Sequence, residues 1–348
     1  MPGFCVGSRR IGEDQPCFIV AEVGVNHNGD LLIAEASVRA AAAAGADAVK
    51  FQTFRAERLV APGTPRAAYQ IESVGVGDQR SMLEALELSA EAHVRLQALC
   101  RELGVTFLST PFDDESLDLL VGLSVEAIKI GSGDLDNHPL LLRAKAAGVP
   151  LIVSTGMSTL LEVAQTVELL GGPGAANLAL LQCVSAYPAP ASAQNLAVIP
   201  HYAALFSVPV GFSDHTLGLG AAVAAVTLGA KIIEKHFTID RALPGPDQKA
   251  SLEPAQFAQL VGAVRDAEAA IGRPVKRILE EERELRTVAR RSVHLARALT
   301  RGEAIVAADL EMKRPGGGVG GAECLGLIGR LSARDLPVGH RIHLSDLI

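Results

Sequence analysis

The chain has 348 residues, which at about 150 residues per domain allows two domains or one large domain with an appendage. Apolar residues make up 49% and charged residues 20%, so disorder is excluded as the main state. Lysine and arginine total 32 against 39 aspartates and glutamates, a formal charge of −7, which excludes a protein that binds nucleic acid over its whole surface.

Residues 1–10 lack the basic-then-apolar run of a secretory signal, and no uncharged apolar run approaches the length of a bilayer span. A soluble, unexported protein without a membrane partner is expected. From there, short apolar or β-branched runs alternate with segments of helical period. The predicted strands are residues 18–23, 48–52, 106–109, 127–130, 151–154, 178–183, 209–212 and 231–235. Helical patterns start near Leu31, Ala90, Asp114, Pro139, Thr159, Asn195, Leu217 and Pro254, with caps expected at Asp30, Ser89, Asp113 and Ser158. The alanine-rich stretch 40–44 is interrupted by Glu35, Arg39 and Asp47 at helical spacing, as in an amphipathic helix.

Eight strand-helix units point to a closed parallel (β/α)8 TIM barrel rather than a doubly wound sheet, and the 24–29 turn lacks dinucleotide-binding glycine spacing. Connections 53–88 and 237–252 are too long for plain barrel loops and are expected to be functional lids or disordered. The predicted divisions are a barrel over 1–275, a charged, partly helical linker over 276–291 and a small β-rich domain over 292–348. Strand-like runs at 293–296 and 341–344 mark that last part. Five cysteines, Cys5, Cys17, Cys100, Cys183 and Cys324, form no Cys-x-x-Cys pair, which fits a reducing cytoplasm.

In a parallel barrel the reacting groups sit at the carboxyl ends of the strands. Here those ends read Glu22; Lys50 and Gln52; Ser109 and Thr110; Lys129 and Ser132; Ser154 and Thr155; Ser185 and Tyr187; Ser213, Asp214 and His215; and Glu234 and His236. A serine after a strand is commonly just a helix cap, but every strand delivers a polar group to the same rim. Lys50 and Lys129 lie in apolar strands, where a bare ammonium is costly, so each needs an anionic partner. A bound anion fills that need, as does a buried pair with Glu22 or Glu234. His215 and His236, on adjacent strand ends with Glu234 nearby, suit a transition metal. Asp30, Asp214 and Thr216 are alternatively helix caps, and His27 and Asn28 alternatively build an Asn-Gly turn. His138, His201, His294, His340 and His343 are expected at the surface or in packing, and the 280–284 acidic run on a solvated helix face.

The stretch from Ala21 to Asp30, with Val49-Lys50-Phe51-Gln52, Ser109-Thr110-Pro111-Phe112, Lys129-Ile130-Gly131-Ser132-Gly133, Ser154-Thr155-Gly156-Met157, Ser213-Asp214-His215-Thr216, Glu234-Lys235-His236-Phe237-Thr238 and Gly245-Pro246-Asp247, closely resembles the sialic acid synthase family. Lys313-Arg314-Pro315-Gly316 resembles the antifreeze-like (SAF) domain that ends those enzymes. The resemblance implies a metal-dependent transferase. It would condense phosphoenolpyruvate with an N-acetylated mannose-type sugar and water, giving N-acetylneuraminate or a related nine-carbon acid and phosphate. It also implies a domain-swapped homodimer and a divalent cofactor, Mn2+ or Mg2+, on His215 and His236. Lys50, Thr110, Lys129, Ser132, Ser154 and Ser213 would hold phosphoenolpyruvate, Lys50 at its carboxylate end. Glu22, Gln52, Tyr187 and Asp247 would face the sugar, the catalytic set being Glu22, Lys50, Lys129 and Asp247, and Arg314 would reach the N-acetyl group in the partner's barrel. The acceptor stays open. Ser185 stands where asparagine or threonine also occurs, while 247–252 looks like the sialic and legionaminic branches more than the pseudaminic one. A legionaminic or pseudaminic acid synthase is the near alternative. A deoxyoctulosonate or heptulosonate phosphate synthase is more distant, since those lack an antifreeze-like domain, and a non-catalytic sugar-binding protein is disfavoured by the intact rim.

Overall fold

Strands that are apolar on one face and mixed on the other must cover both, and a ring of strands inside a ring of helices does so. In the computed structural model, which describes residues 4–348, eight parallel strands form such a ring. They are β1 (Phe18–Gly24), β2 (Ala48–Thr53), β3 (Thr106–Pro111), β4 (Ile128–Ile130), β5 (Leu151–Ser154), β6 (Leu178–Cys183), β7 (Val210–Asp214) and β8 (Ile232–His236). Hydrogen bonds run in the order β3-β2-β1-β8-β7-β6-β5-β4, and β3 and β4 lie side by side to close the barrel. The helices are α1 (Leu31–Ala43), α2 (Ala90–Leu103), α3 (Asp114–Gly122), α4 (His138–Ala146), α5 (Leu160–Leu170), α6 (Val198–Phe206), α7 (Gly220–Thr227) and α8 (Pro254–Ile271).

Side-chain parity sorts each strand into two environments. Outward residues such as Ile19, Val49, Phe51, Phe107, Val153, Leu180, Phe212 and Ile233 pack under the helices. Inward residues near the strand starts, among them Phe18, Val20, Ala48, Leu108, Ile152, Leu181 and Ile232, form a dry plug. An amino-terminal hairpin, Phe4–Val6 paired with Arg9–Ile11, adds buried Phe4, Val6 and Ile11 to that plug, an element the sequence pattern did not reveal. One step further along, the inward residues become Glu22, Lys50, Lys129, Ser154, Ser213 and Glu234.

Asp30, Ser89 and Asp113 cap their helices as expected, each accepting from backbone N–H groups of the first turn. For α5 the cap is Thr159 rather than Ser158, whose hydroxyl instead donates to the Gly156 carbonyl. Asp214 and Thr216 cap no helix. Helix α7 starts later, at Gly220, and Asp214 bonds Lys235 and the Thr216 N–H instead.

Both long connections are built rather than loose. The 53–88 connection holds short helices Ala56–Leu59, Ala68–Val74 and Gln79–Glu84, with Phe54 and Leu86 buried against Val25. The 237–252 connection is clasped to the β1–α1 loop: Asn26 Nδ2 donates to Phe237 O at 2.9 Å and Ser251 Oγ at 2.8 Å, and Gln248 Nε2 donates to Asn26 O at 2.9 Å.

Contacts divide the chain into Met1–Gly272 and Arg273–Ile348, so the charged segment 276–291 groups with the carboxy-terminal unit. That unit carries a helix, Arg283–Ala289, and the antiparallel pair β9 (Ser292–Leu295) and β10 (Leu310–Lys313) around Val293, Leu295, Ile305, Leu336 and Ile342. The expected strand over 341–344 is absent, leaving a single bridge from His294 to Arg341. Asp346 turns the chain there by accepting from His343 N at 2.9 Å, with Arg334 and His340 on the same carboxylate. Among the described residues no helix is long and apolar enough to cross a membrane.

Asn28 (φ 54°) and Gly29 (φ 74°) form the Asn-Gly turn, and a Cβ on Gly29 would lie 2.5 Å from the Ala85 carbonyl oxygen. His27 is wholly buried in this turn, its Nδ1 accepting from Gly29 N at 3.0 Å, and burial pushes its pKa down to about 4. A depressed pKa contributes stability above the unfolded value of 6.5, lost as pH falls through about 4. Urea unfolding of the whole chain is therefore expected to lose about 3 kcal/mol from this residue between pH 7 and pH 4. His27→Asn should flatten that slope, and an unchanged slope would assign the acid sensitivity elsewhere.

Candidate active site

Four buried charges cross the barrel where its dry plug ends. Lys50 Nζ lies 2.8 Å from Glu22 Oε2 and 3.6 Å from Glu234 Oε2, while Lys129 Nζ lies 3.6 Å from Glu234 Oε1. The pairing of β1 with β2 sets Glu22 beside Lys50, and β8 carries Glu234 between the two lysines. The buried ion pairs anticipated from the sequence are thus present, and they leave donors to spare. Lys50 also bonds Thr110 Oγ1 at 3.2 Å; Lys129 bonds Ser154 Oγ at 2.6 Å; Ser213 Oγ donates to Glu234 Oε1 at 3.0 Å. Gln52 Nε2 steadies Glu22 Oε1 at 3.1 Å, and Ser132 Oγ accepts from Gly156 N at 2.9 Å.

Burial opposes all four charges, but their neighbours divide them. Burial pushes Glu22 up to about 7, with Glu234 adding to the rise and Lys50 opposing it. Glu234 resists the same burial because Lys129 and Lys50 flank it, and it stays ionised down to about pH 2. Burial works against the Lys50 ammonium, yet Glu22 and Glu234 outweigh it and hold Lys50 above its ordinary value; Lys129 is pulled below its own, by burial first and Lys50 second. Once Glu22 is protonated, two ammoniums face one carboxylate and the floor is cationic. Such a floor can hold an anion.

Above the floor stand the two imidazoles, their centroids 5.4 Å apart, with the Tyr187 ring 4.2 Å from His215 and 5.7 Å from His236. His215 Nδ1 donates to Val184 O at 2.7 Å, the tautomer that leaves Nε2 with a free lone pair. His236 Nδ1 is buried without a hydrogen-bond partner, 4.0 Å from Asp247 Oδ2. Asp247 is pushed up to about 6 by burial, His215 opposing. An oriented imidazole beside an orphaned ring nitrogen fits a divalent ion. Among the described residues no group of three or more His, Cys, Asp or Glu is poised for a metal, so this would be an open site whose other ligands are water or substrate.

The cavity measures about 610 Å3. Of the residues predicted from sequence, Glu22, Lys50, Gln52, Thr110, Lys129, Ser132, Ser154, Tyr187, Ser213, His215 and His236 line it. Asp247 is buried next to His236, and Arg314 lies exposed in the carboxy-terminal unit just after β10. The structure adds Tyr69, Gln79, Phe112, Met157 and Cys183 to the wall. Tyr69 and Gln79 come from the 53–88 connection, whose excess length was the available signal, and the Tyr69 ring lies 5.2 Å from that of Tyr187.

Residues 37–276 match the model of the NeuB family. The chain belongs to that family. Over 338 residues, 96% of this chain and 95% of the other, it is 43% identical to N,N'-diacetyllegionaminic acid synthase of Legionella pneumophila. It is 38% identical to human N-acetylneuraminate-9-phosphate synthase, over 79% of this chain and 76% of that one. The crystal structure of N-acetylneuraminic acid synthetase from Leptospira borgpetersenii superposes with a TM-score of 0.73 at 32% identity, covering 81% of this chain and 94% of that one. As a NeuB-family member the protein is a sialic-acid-type synthase, an enzyme that makes a sugar acid, on a (β/α)8 barrel.

Replacing Lys50 by methionine strands Glu22 without its cation, leaves Glu234 with Lys129 alone and is expected to cost about 3–5 kcal/mol in urea unfolding. Adding Glu22→Gln to Lys50→Met should recover a good part of that loss, a coupling measurable as a double-mutant cycle. Additive losses would mean that the two groups do not act as a pair.

Proposed function

We propose that this enzyme condenses phosphoenolpyruvate with an unphosphorylated, N-acetylated mannose-type sugar and water, releasing phosphate and a nine-carbon sugar acid. The observation that carries the reading is the pair of buried lysines backed by hydroxyls beneath a pair of imidazoles. Phosphoenolpyruvate has about three negative charges, and a preorganised floor of ammonium and hydroxyl donors offsets its desolvation. Lys50 with Thr110 takes the carboxylate, and Lys129 with Ser132, Ser154 and Ser213 takes the phosphate. A divalent ion such as Mn2+ or Mg2+ on His215 and His236 supplies Lewis acidity toward the sugar aldehyde.

The enol carbon of phosphoenolpyruvate then bonds to the aldehyde carbon. Water adds to the former enol-ether carbon, and the bond from that carbon to the phosphate oxygen breaks. Glu22, poised near pH 7 and steadied by Gln52, exchanges a proton with the sugar oxygen or with water, while Asp247 and Tyr187 hold the sugar.

Lys50 and Lys129 are the only cations lining the cavity among the described residues, and both lie at its floor. The rest of the lining includes Tyr69, Phe112, Met157 and Tyr187 beside the uncharged polar Gln79 and Ser185, which suits an uncharged acceptor with acetamido or methyl groups. Between N-acetylmannosamine and a 2,4-diacetamido-trideoxy hexose, the apolar and aromatic groups in this lining and the similarity to the Legionella protein over nearly the whole chain favour the second, and N,N'-diacetyllegionaminate as product. Phosphate release from phosphoenolpyruvate is the test, with each of these sugars, N-acetylmannosamine 6-phosphate and arabinose 5-phosphate. The diacetamido sugar should give the highest kcat/KM, chelation should abolish turnover and Mn2+ or Mg2+ should restore it. Preference for a sugar phosphate, or full activity without metal, would refute the corresponding part.

We further propose that the carboxy-terminal unit is an antifreeze-like domain that swaps in a cytoplasmic homodimer, bringing Arg314 to the partner's sugar site. Exposed Leu285 and Val288 on its helix, and five cysteines all free of disulfides, support that reading. Mixing Arg314→Ala with His236→Ala subunits should then regain activity, because one site in each mixed dimer is intact. Confirmed subunit exchange with no gain would place the domain over its own barrel.

A further inference from the structure

Strand parity places Lys235 opposite Glu234 and His236, on the outer side of the barrel wall, yet its side chain is fully buried. Its ammonium is surrounded by oxygen: Asp214 Oδ2 at 2.7 Å, Thr216 Oγ1 at 3.2 Å, Gly218 O at 3.0 Å and the Thr216 carbonyl. A carboxylate, two carbonyls and a hydroxyl around one positive centre make the kind of oxygen cage that would otherwise hold a monovalent cation. Asp214 also closes a turn with its other oxygen, Oδ1 accepting from Thr216 N at 2.8 Å. The residue enclosed by that turn is His215. Its ring is steadied by Val184 O and its carbonyl accepts from Ala189 N at 2.9 Å, so the position of Nε2 depends on the Asp214–Gly218 backbone that Lys235 gathers.

We propose that Lys235 is a positioning residue for the metal site, a tethered cation that fixes the His215 turn so that its imidazole and that of His236 converge. Lys235 touches neither substrate nor metal. It acts through Asp214, Thr216 and Gly218, and its place next to His236 in β8 ties both imidazoles to one frame. The inference rests on the reading of His215 as a metal ligand.

The test is Mn2+ binding to the full chain by calorimetry, with folding checked by circular dichroism and with phosphoenolpyruvate affinity measured without metal. Lys235→Ala and Asp214→Asn should weaken Mn2+ binding about 10- to 100-fold, the range for groups that orient a metal ligand, while metal-free phosphoenolpyruvate affinity stays within about twofold. Ammonium or K+ should restore Mn2+ binding to Lys235→Ala, whereas tetramethylammonium, too large for the cage, should not. Thr216→Val removes one of the four contacts and keeps the ion pair. It decides the matter if the charge variants fail to fold, with a loss of about 2- to 5-fold expected, a fraction of the full effect. A folded variant that binds Mn2+ like the wild type overturns the proposal, as does rescue by tetramethylammonium equal to that by K+. If the wild type binds no Mn2+, or His215→Ala binds it undiminished, the metal reading itself has failed.

Discussion

Two ammoniums and two carboxylates meet, nearly fully buried, in the interior of this barrel at the level where the apolar plug ends. Each charge has given up hydration worth several kcal/mol and is held there only because its neighbours return most of it. The strand register has to place Glu22 opposite Lys50, and β8 has to carry Glu234 between both lysines. A one-residue slip in either would turn a charge into the helix layer. The same interior that makes the arrangement costly gives it strength toward a ligand, since charges interact more strongly where burial lowers the local dielectric.

The charges are uneven, and that unevenness divides the labour. Glu234 is locked as an anion between two cations, so it balances charge, whereas Glu22 sits near neutrality and is free to change state. Identical carboxylates on adjacent strands thus differ, one a fixed counter-ion and the other able to change its protonation state, through the number of cations each one touches.

Much of this was legible in the sequence. All eight strands were placed to within about two residues at each end, because β-branched or apolar runs and helical period alternate through most of the barrel. The rim residues followed from the rule that strand ends carry the chemistry, and the family resemblance sharpened them. Information that depends on three dimensions was not legible. Phe4, Val6 and Ile11 form a three-residue strand and its partner, too short for periodicity to register, yet their burial closes one end of the barrel. Asp214 and Thr216 carry cap-forming side chains, and only the position of Lys235 across the wall reveals that they serve a cation instead. Tyr69 reaches the cavity from a connection whose length hinted at function but whose path the sequence leaves undefined.

The hairpin against the barrel's amino-terminal mouth has a kinetic consequence. With Phe4, Val6 and Ile11 packed into the plug, the described interior is closed on that side, and the floor charges lie next to the plug. Whatever binds those charges has to enter before anything that occupies the space above, and it is covered once the second molecule arrives. Under the reaction proposed above, this geometry would set an order for the two substrates, anion first and sugar second. In that reaction a sugar arriving early would obstruct the floor, so that excess acceptor would compete with the anion.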